Sequence, residues 1–324
     1  MYRIGIDLGG TNTVAGLVDQ NEKIIDRESV KTNLPTNLDR IVADMGKLCH
    51  ILLHRNHLKK EDVVSVGVGV PCTADETSGW MLDADHLGFP GGPLVQRLQQ
   101  ALQMPVAIGN DANCAAWGEF KAYEHPGDSM ILVTLGTGVG GGIIVHGKLH
   151  CGINHAAGEL GHMMLYSNGA PCTCGRRGCF EAHGSATALI GQGKTAMQQQ
   201  KQSLLWQLCL GDPARLEART IFEAASQADP VAVQLVEDYT TCLADGFANL
   251  INIFGPACLC IGGGVSGAGD ALLQPVREKT MQRIYAKTAK QQPQIVLAKL
   301  GNDAGILGAA LLEKREEIPY ESTL

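Results

Sequence analysis

Three glycine clusters, each set at the end of an apolar run, constrain this 324-residue chain more than any other feature of it. Arg3 to Asp7 is a short β-rich run, Gly9-Gly10-Thr11-Asn12-Thr13 follows it, and Val14 to Val18 is apolar again. That order reads as strand, glycine turn, strand. It recurs at Met130 to Leu135, with the turn Gly136-Thr137-Gly138-Val139-Gly140-Gly141-Gly142 and a returning strand Ile143 to Val145. Two such units at the heads of two halves suggest an internal duplication, with two hairpin tips facing one another across a cleft in which a nucleotide could lie. The third cluster, Gly262-Gly263-Gly264, follows the apolar run from Ala257 and precedes a helix expected from Ala268 onward. Backbone N–H groups at a helix start could meet the nucleotide there, through phosphate or adenosine.

A plain hairpin accounts for Gly9 and Gly10 equally well. What it does not need is Asp7 at the strand end and two hydroxyl residues in the turn, the parts that would hold a magnesium-bound phosphate. The Walker pattern GxxxxGK(S/T) is absent, and neither hairpin turn runs into a helix as a dinucleotide fingerprint requires.

Between the first two clusters a helix is expected from about Leu38 to Asn56, then a strand from Val63 to Val70 ending at Pro71. Val106 to Gly109 is another strand, running through Asn110-Asp111-Ala112-Asn113 into an alanine-rich helix to about Lys121. Asp111 thus sits where a strand hands over to a helix, a place where α/β proteins put ligand contacts. The same position suits an aspartate acting as a helix N-cap. Residues 188–254 read as mostly helical, with a long helix from Pro230 to Ile253, then a strand from Gln294 to Ala298 and a helix from Ala304 to Lys314.

The net charge of −7 argues against nucleic acid as the main partner. No apolar run approaches a membrane span, and Met1 leads directly into a strand pattern, so a cytoplasmic protein is expected. Eleven cysteines, an odd number and several inside apolar runs, fit reduced thiols better than a disulfide framework.

One short segment concentrates them: His162, nine residues, Cys172, one residue, Cys174, four residues, Cys179, interrupted by Gly169, Pro171, Gly175 and Gly178. Three thiolates and an imidazole at these spacings suit a structural, tetrahedral zinc, although buried thiols in a cysteine-rich chain are the alternative. Glu159 and Glu181 bracket the cluster without being needed by it.

Taken together, DLGGT at 7–11, GNDAN at 109–113, LGTGVGGG at 135–142, AGELGHM at 157–163, CTCGRRGCFE at 172–181 and LGNDAG at 300–305 resemble the ROK family of sugar kinases and regulators, its bacterial glucokinases above all. The resemblance runs from Ile4 to about Leu312. It implies the actin-like ATPase (ribonuclease H-like) α/β fold with an inter-domain cleft. One domain would take 1–115 with a returning helix at about 303–316, the other 116–302 with the zinc loop.

The resemblance further implies ATP-dependent phosphorylation of a hexose, glucose to glucose 6-phosphate, with Mg2+ and a structural Zn2+. Asp111 would be the general base. Asn110, Glu159, His162 and Glu181 would surround the sugar hydroxyls, with His162 also on the metal. Asp7, Gly10 and Thr11 would meet phosphate and magnesium, Thr137 and Gly138 a second phosphate contact, and Gly263 and Gly264 the nucleotide. A homo-oligomer, dimer or tetramer, is implied as well.

Two positions depart from the glucokinase-like pattern: Cys72 stands where a glycine is usual, and His86 where an asparagine is. Mannose, fructose, allose or an N-acetylhexosamine are therefore alternative substrates. A non-catalytic sugar-sensing regulator is the alternative from another class, disfavoured by the six residues ahead of Asp7, which leave no room for a DNA-binding segment.

Overall fold

In the computed structural model, residues 1–122 and 127–313 are described. They gather into two compact units, one holding 1–122, 149–157 and 302–313, the other 127–148 and 158–301. Among the described residues no helix is long and apolar enough to cross a membrane.

The first unit is built on β1 (Tyr2–Leu8), β2 (Asn12–Val18), β3 (Ile24–Lys31), β4 (Val63–Val70), β5 (Thr73–Asp75), β6 (Trp80–Leu82), β7 (Gly91–Gly92) and β8 (Val106–Asn110). Five of these form one sheet in the order β3-β2-β1-β4-β8, antiparallel across β1–β2–β3 and parallel across β1–β4–β8. β4, VVSVGVGV, is buried along most of its length, as a central parallel strand must be, whereas edge strand β3 has no fully buried residue and alternates in exposure. Helix α1 (Leu38–Arg55) starts at Asn37, whose side chain accepts the Arg40 N–H. It buries Ile41, Met45, Leu48, Cys49 and Leu52 at helical spacing. The small sheet β5-β6-β7, helix α2 (Leu94–Leu102) and β3 have no counterpart in the elements expected from sequence. Helix α3 (Asp111–Ala122) follows β8 without a linker.

A helix from Asp303 to Ala310 completes this unit at unusually close range. A Cβ on Gly5 would lie 1.9 Å from the Ile306 carbonyl oxygen, and one on Gly67 1.7 Å from that of Ala309. On the helix itself, a Cβ at Gly308 would lie 1.7 Å from the Cys114 carbonyl oxygen of α3. Backbone therefore packs on backbone here, and the glycines are what permit it. The helix ends earlier than its apolar run suggests, and the Leu311 carbonyl just beyond it accepts the Trp117 indole N–H at 3.1 Å; residues 314–316 of the expected helix lie outside the described residues.

The second unit carries β9 (Met130–Leu135), β10 (Val139–Val145), β11 (Lys148–Leu149), β12 (Cys258–Gly262) and β13 (Gln294–Leu297). Their order, β11-β10-β9-β12-β13, repeats that of the first sheet: an antiparallel hairpin, then two parallel strands beside its first arm. Helices α4 (Glu181–Gly184), α5 (Ala186–Gln199), α6 (Leu204–Leu208), α7 (Ala218–Ser226), α8 (Pro230–Phe254) and α9 (Asp270–Arg283) supply the rest. The core includes Phe180, Tyr239 and Phe247. α8 is capped by Asp229, which accepts the Ala232 N–H, and ends at Gly255 with φ +52°.

The second glycine turn is shorter than expected. Gly140, Gly141 and Gly142 pair with Thr134, Val133 and Leu132 inside β10, leaving Gly136 to Gly138 as the turn. The reason is packing: a Cβ on Gly141 would stand 2.4 Å from Leu160 Cδ1, and one on Gly161 2.2 Å from the Val139 carbonyl oxygen. Glycines in this strand let the 3-10 turn Leu160–His162 lie against it.

Candidate functional site

The sequence-predicted residues divide between the units. Asp7, Gly10, Thr11, Asn110 and Asp111 lie in the first; Thr137, Gly138, Glu159, His162, Cys172, Cys174, Cys179, Glu181, Gly263 and Gly264 lie in the second.

In the first unit the parallel pairing aligns Asp7 with Gly69 and Gly69 with Gly109, so that Asp7 lies level with the strand end from which α3 begins. With no side chain at Gly69, a Cβ there would already meet Asp111 Cα at 3.6 Å. Asp111 is the first residue of α3 but not its cap. That role falls to Asn110, whose Oδ1 accepts the Asn113 N–H at 3.1 Å, while Asp111 Oδ1 takes the Ala112 N–H at 2.7 Å. Asn110 Nδ2 donates to the Cys72 carbonyl oxygen at 3.3 Å. Strand β8 runs straight into the helix, so the residue ending the strand occupies the capping position and the aspartate moves into the first turn.

Asp7 is held high, its pKa raised from 3.8 to about 6, first by burial and then by the neighbouring charge of Asp111. Its carboxylate faces Gly305, where an added Cβ would stand 3.4 Å from Oδ2. Gly305 belongs to the LGNDAG stretch, a motif that sequence reasoning matched without giving that residue a role. Gly10 and Thr11 form the exposed tip of the β1–β2 hairpin, closed by Gly9 N–H to the Asn12 carbonyl at 3.0 Å. Cys72 is buried, and burial aided by Asp111 pushes its thiol up to about 12. His86 is exposed in a 3-10 turn that ends at Gly88, φ +102°.

In the second unit the tip Gly136–Gly138 is clasped from α4. Glu181 Oε2 accepts the Val139 N–H at 3.0 Å and covers Gly138 so closely that a Cβ there would lie 2.3 Å away. Its other oxygen accepts from Thr173 Oγ1 at 3.3 Å. Glu181 therefore joins the glycine turn to the cysteine loop, a link that spacing alone does not reveal. Thr137 is exposed, with its carbonyl accepting Thr187 Oγ1 at 2.8 Å. Gly263, φ +80°, passes over the end of β9, where a Cβ would be 2.5 Å from Leu135 N, and Gly264 is exposed at the start of a 3-10 turn. Glu159 is exposed just ahead of the turn Leu160–His162.

His162, Cys172, Cys174 and Cys179 converge, their ligand atoms all within 4.8 Å of one another. Cys174 Sγ and Cys179 Sγ are 3.6 Å apart, and Cys172 Sγ and His162 Nδ1 also 3.6 Å. Four donors around one tetrahedral zinc, with bonds of about 2.3 Å to sulfur and about 2.0 Å to nitrogen, stand roughly 3.5–3.8 Å apart. The cluster fits such an ion, and all eleven cysteines are free thiols. Nδ1 is the nitrogen that faces the sulfurs, which leaves Nε2 on the far side of the ring.

The likenesses to known proteins cover the same ground. A profile described as the ROK family matches residues 3–316. A glucokinase of Halalkalibacterium halodurans is 34% identical over 322 residues, 99% of this chain and 97% of that protein. An N-acetylmannosamine kinase of Escherichia coli is 32% identical over 98% of this chain and the whole of that one. The crystal structure of a ROK family glucokinase from Streptomyces griseus in complex with glucose and AMPPNP superposes with a TM-score of 0.79 at 34% identity, covering 96% of this chain and 98% of the other. With motifs, paired sheets and near full-length likeness all agreeing, the chain belongs to the ROK family and has the actin-like ATPase fold of its sugar kinases.

Proposed function

We propose that this protein transfers the γ-phosphoryl group of ATP to a hexose, glucose to glucose 6-phosphate, with Asp111 as general base. The observation that carries the reading is the division of labour at the β8–α3 junction: Asn110 caps the helix, and the Asp111 carboxylate, which accepts the Ala112 N–H, stands in the first turn beside Asp7. Phosphoryl transfer rests mainly on positioning and charge stabilisation, and one carboxylate to accept the hydroxyl proton is what the chain must add.

The glycine tips support the nucleotide part. Gly10, Gly136 and Gly264, one from each strand-end cluster, have no positive φ, and among the described residues a Cβ on any of them would meet nothing within 4 Å beyond its chain neighbours. Glycine at these tips leaves the backbone open to a ligand, which is how this reading uses them. In this reading Asp7, Gly10 and Thr11 serve phosphate and Mg2+, Thr137 and Gly138 a second phosphate contact, and Gly263 and Gly264 the nucleotide. Asn110, Glu159, His162 and Glu181 serve the sugar. Zinc on His162, Cys172, Cys174 and Cys179 would supply shape rather than chemistry, and His162 Nε2 would remain for the sugar. A cytoplasmic homo-oligomer completes the reading.

The test is a coupled assay with Mg-ATP over glucose, mannose, fructose, allose, N-acetylglucosamine and N-acetylmannosamine. Glucose is expected to give the highest kcat/KM, and Asp111→Asn to lower kcat about 10²–10⁴-fold while leaving glucose binding by calorimetry in place. Preference for N-acetylmannosamine would replace the substrate, and no turnover of any of the six would remove the kinase assignment.

A further inference from the structure

The segment that carries three of the four metal-binding side chains has little regular structure. Isolated bridges, Met164 with Cys179 and Pro171 with Arg177, and backbone bonds such as Gly178 N–H to the Ala170 carbonyl at 2.8 Å give it shape. A loop of this kind must be ordered when the ion binds, and the entropy of that ordering is subtracted from affinity. A residue outside the loop that orders it beforehand therefore raises affinity.

His183 on α4 has the required contacts. Its Nε2 accepts the Ala170 N–H at 3.1 Å, two residues before Cys172. The ring is pressed so closely on the loop that a Cβ on Gly169 would lie 2.4 Å from Nε2 and 2.7 Å from Gly178 Cα. The other side is braced by the body of the unit. Tyr166 meets the imidazole edge-on, with centroids 4.9 Å apart and planes at 88°. The Tyr166 hydroxyl donates to Asp245 Oδ2 on α8 at 3.3 Å, and Arg283, the last residue of α9, donates to Asp245 Oδ1 at 2.7 Å. An accepting Nε2 needs the neutral ring with its proton on Nδ1, and burial lowers the His183 pKa in that sense.

We propose that His183 is a positioning residue for the metal: braced through Tyr166, Asp245 and Arg283, it sets the Gly169–Cys172 segment in shape before the ion arrives and so tightens metal binding. The proposal rests on the reading of the four-residue cluster as a zinc site. His183 does not coordinate the ion; it acts through the Ala170 amide on the placement of Cys172.

The experiment is competition for zinc between the full-length protein and a chromogenic chelator, without sugar or ATP. His183→Phe, which keeps a ring but loses the acceptor, is expected to bind zinc about 10–100-fold more weakly. His183→Gln, whose side-chain oxygen can take the Ala170 N–H, restores most of that loss, and Tyr166→Phe, which cuts the link to Asp245, falls between. Equal affinity of His183→Phe and wild type overturns the proposal, as does equal weakness of the Phe and Gln variants, which would mean that ring packing alone matters. If His183→Phe fails to fold, an unchanged affinity in Tyr166→Phe overturns it instead. A wild type that takes up no zinc removes the metal reading. Hydrogen exchange at the Ala170 amide then decides the rest: faster exchange in His183→Gly than in wild type retains the loop-holding role, and equal rates remove it.

Discussion

Replacing Asp7 by asparagine should make the protein more stable, and more so the higher the pH. The carboxylate's folded-state pKa, about 6, lies above the ordinary 3.8 because burial and Asp111 both disfavour the charged form. The native state therefore keeps the proton to higher pH than the unfolded chain does. The stability associated with that proton is fully present below 3.8 and is lost as pH rises through about 6. Integrated over the two pKa values, the charge costs about 1 kcal/mol at pH 4.5 and about 3 kcal/mol at pH 7.5. Asparagine carries no such charge, so its advantage over wild type should grow by about 2 kcal/mol between those conditions. Urea unfolding of both proteins at pH 4.5, 6 and 7.5, without nucleotide or magnesium, measures it, the difference between the two curves cancelling the titrating groups that do not interact with Asp7. An advantage that stays constant with pH, or shrinks as pH rises, would refute the reasoning and mean that the carboxylate is compensated in the folded chain. The variant should be inactive, and in wild type Mg2+ with nucleotide should recover part of the lost stability.

Three further outcomes are expected. Asn110→Ala removes the α3 cap at Asn113 and should cost about 1 kcal/mol in urea unfolding, whereas Asp111→Ala should cost less, because it is not the cap. Gly138→Ala puts a methyl group on the Glu181 carboxylate and should destabilise by about 1–3 kcal/mol; pairing it with Glu181→Ala should restore part of the loss, a coupling that a double-mutant cycle reads directly. Metal analysis should find about one zinc per wild-type chain and markedly less in Cys174→Ser, with a lower thermal midpoint for the variant.

Much of this organisation was legible in the chain itself, for identifiable reasons. β1 and β2, and β9 before its turn, announce themselves through apolar runs that stop at glycine, and α1 and α8 through long amphipathic periods. The cysteine spacing announced a cluster that the fold does bring together, because His162, Cys172, Cys174 and Cys179 lie within one short stretch of chain. What spacing could not convey was contact between distant residues. Gly140 to Gly142 look like a turn, yet they are strand residues, and Gly141 is kept small for Leu160. Glu181 reads as a free acceptor, yet one oxygen already holds the Val139 amide. Asp111 reads as a cap, yet the strand overruns by one residue and Asn110 takes that place. Strand β3 and the small sheet β5-β6-β7 carry weak local signals, and their partners decide them.

The backbone contact of the Asp303–Ala310 helix with β1 and β4 also governs the order of events during synthesis. Gly5 and Ile306 are about 300 positions apart, so the sheet of the first unit waits for its covering helix until nearly all the described chain has been made. The second unit has its own sheet and helices between residues 127 and 301, and since its last strand ends at Leu297 it too is completed only near the end of the described chain. An unfinished first sheet, its apolar face bare in the meantime, is where a nascent chain of this protein would most need a chaperone.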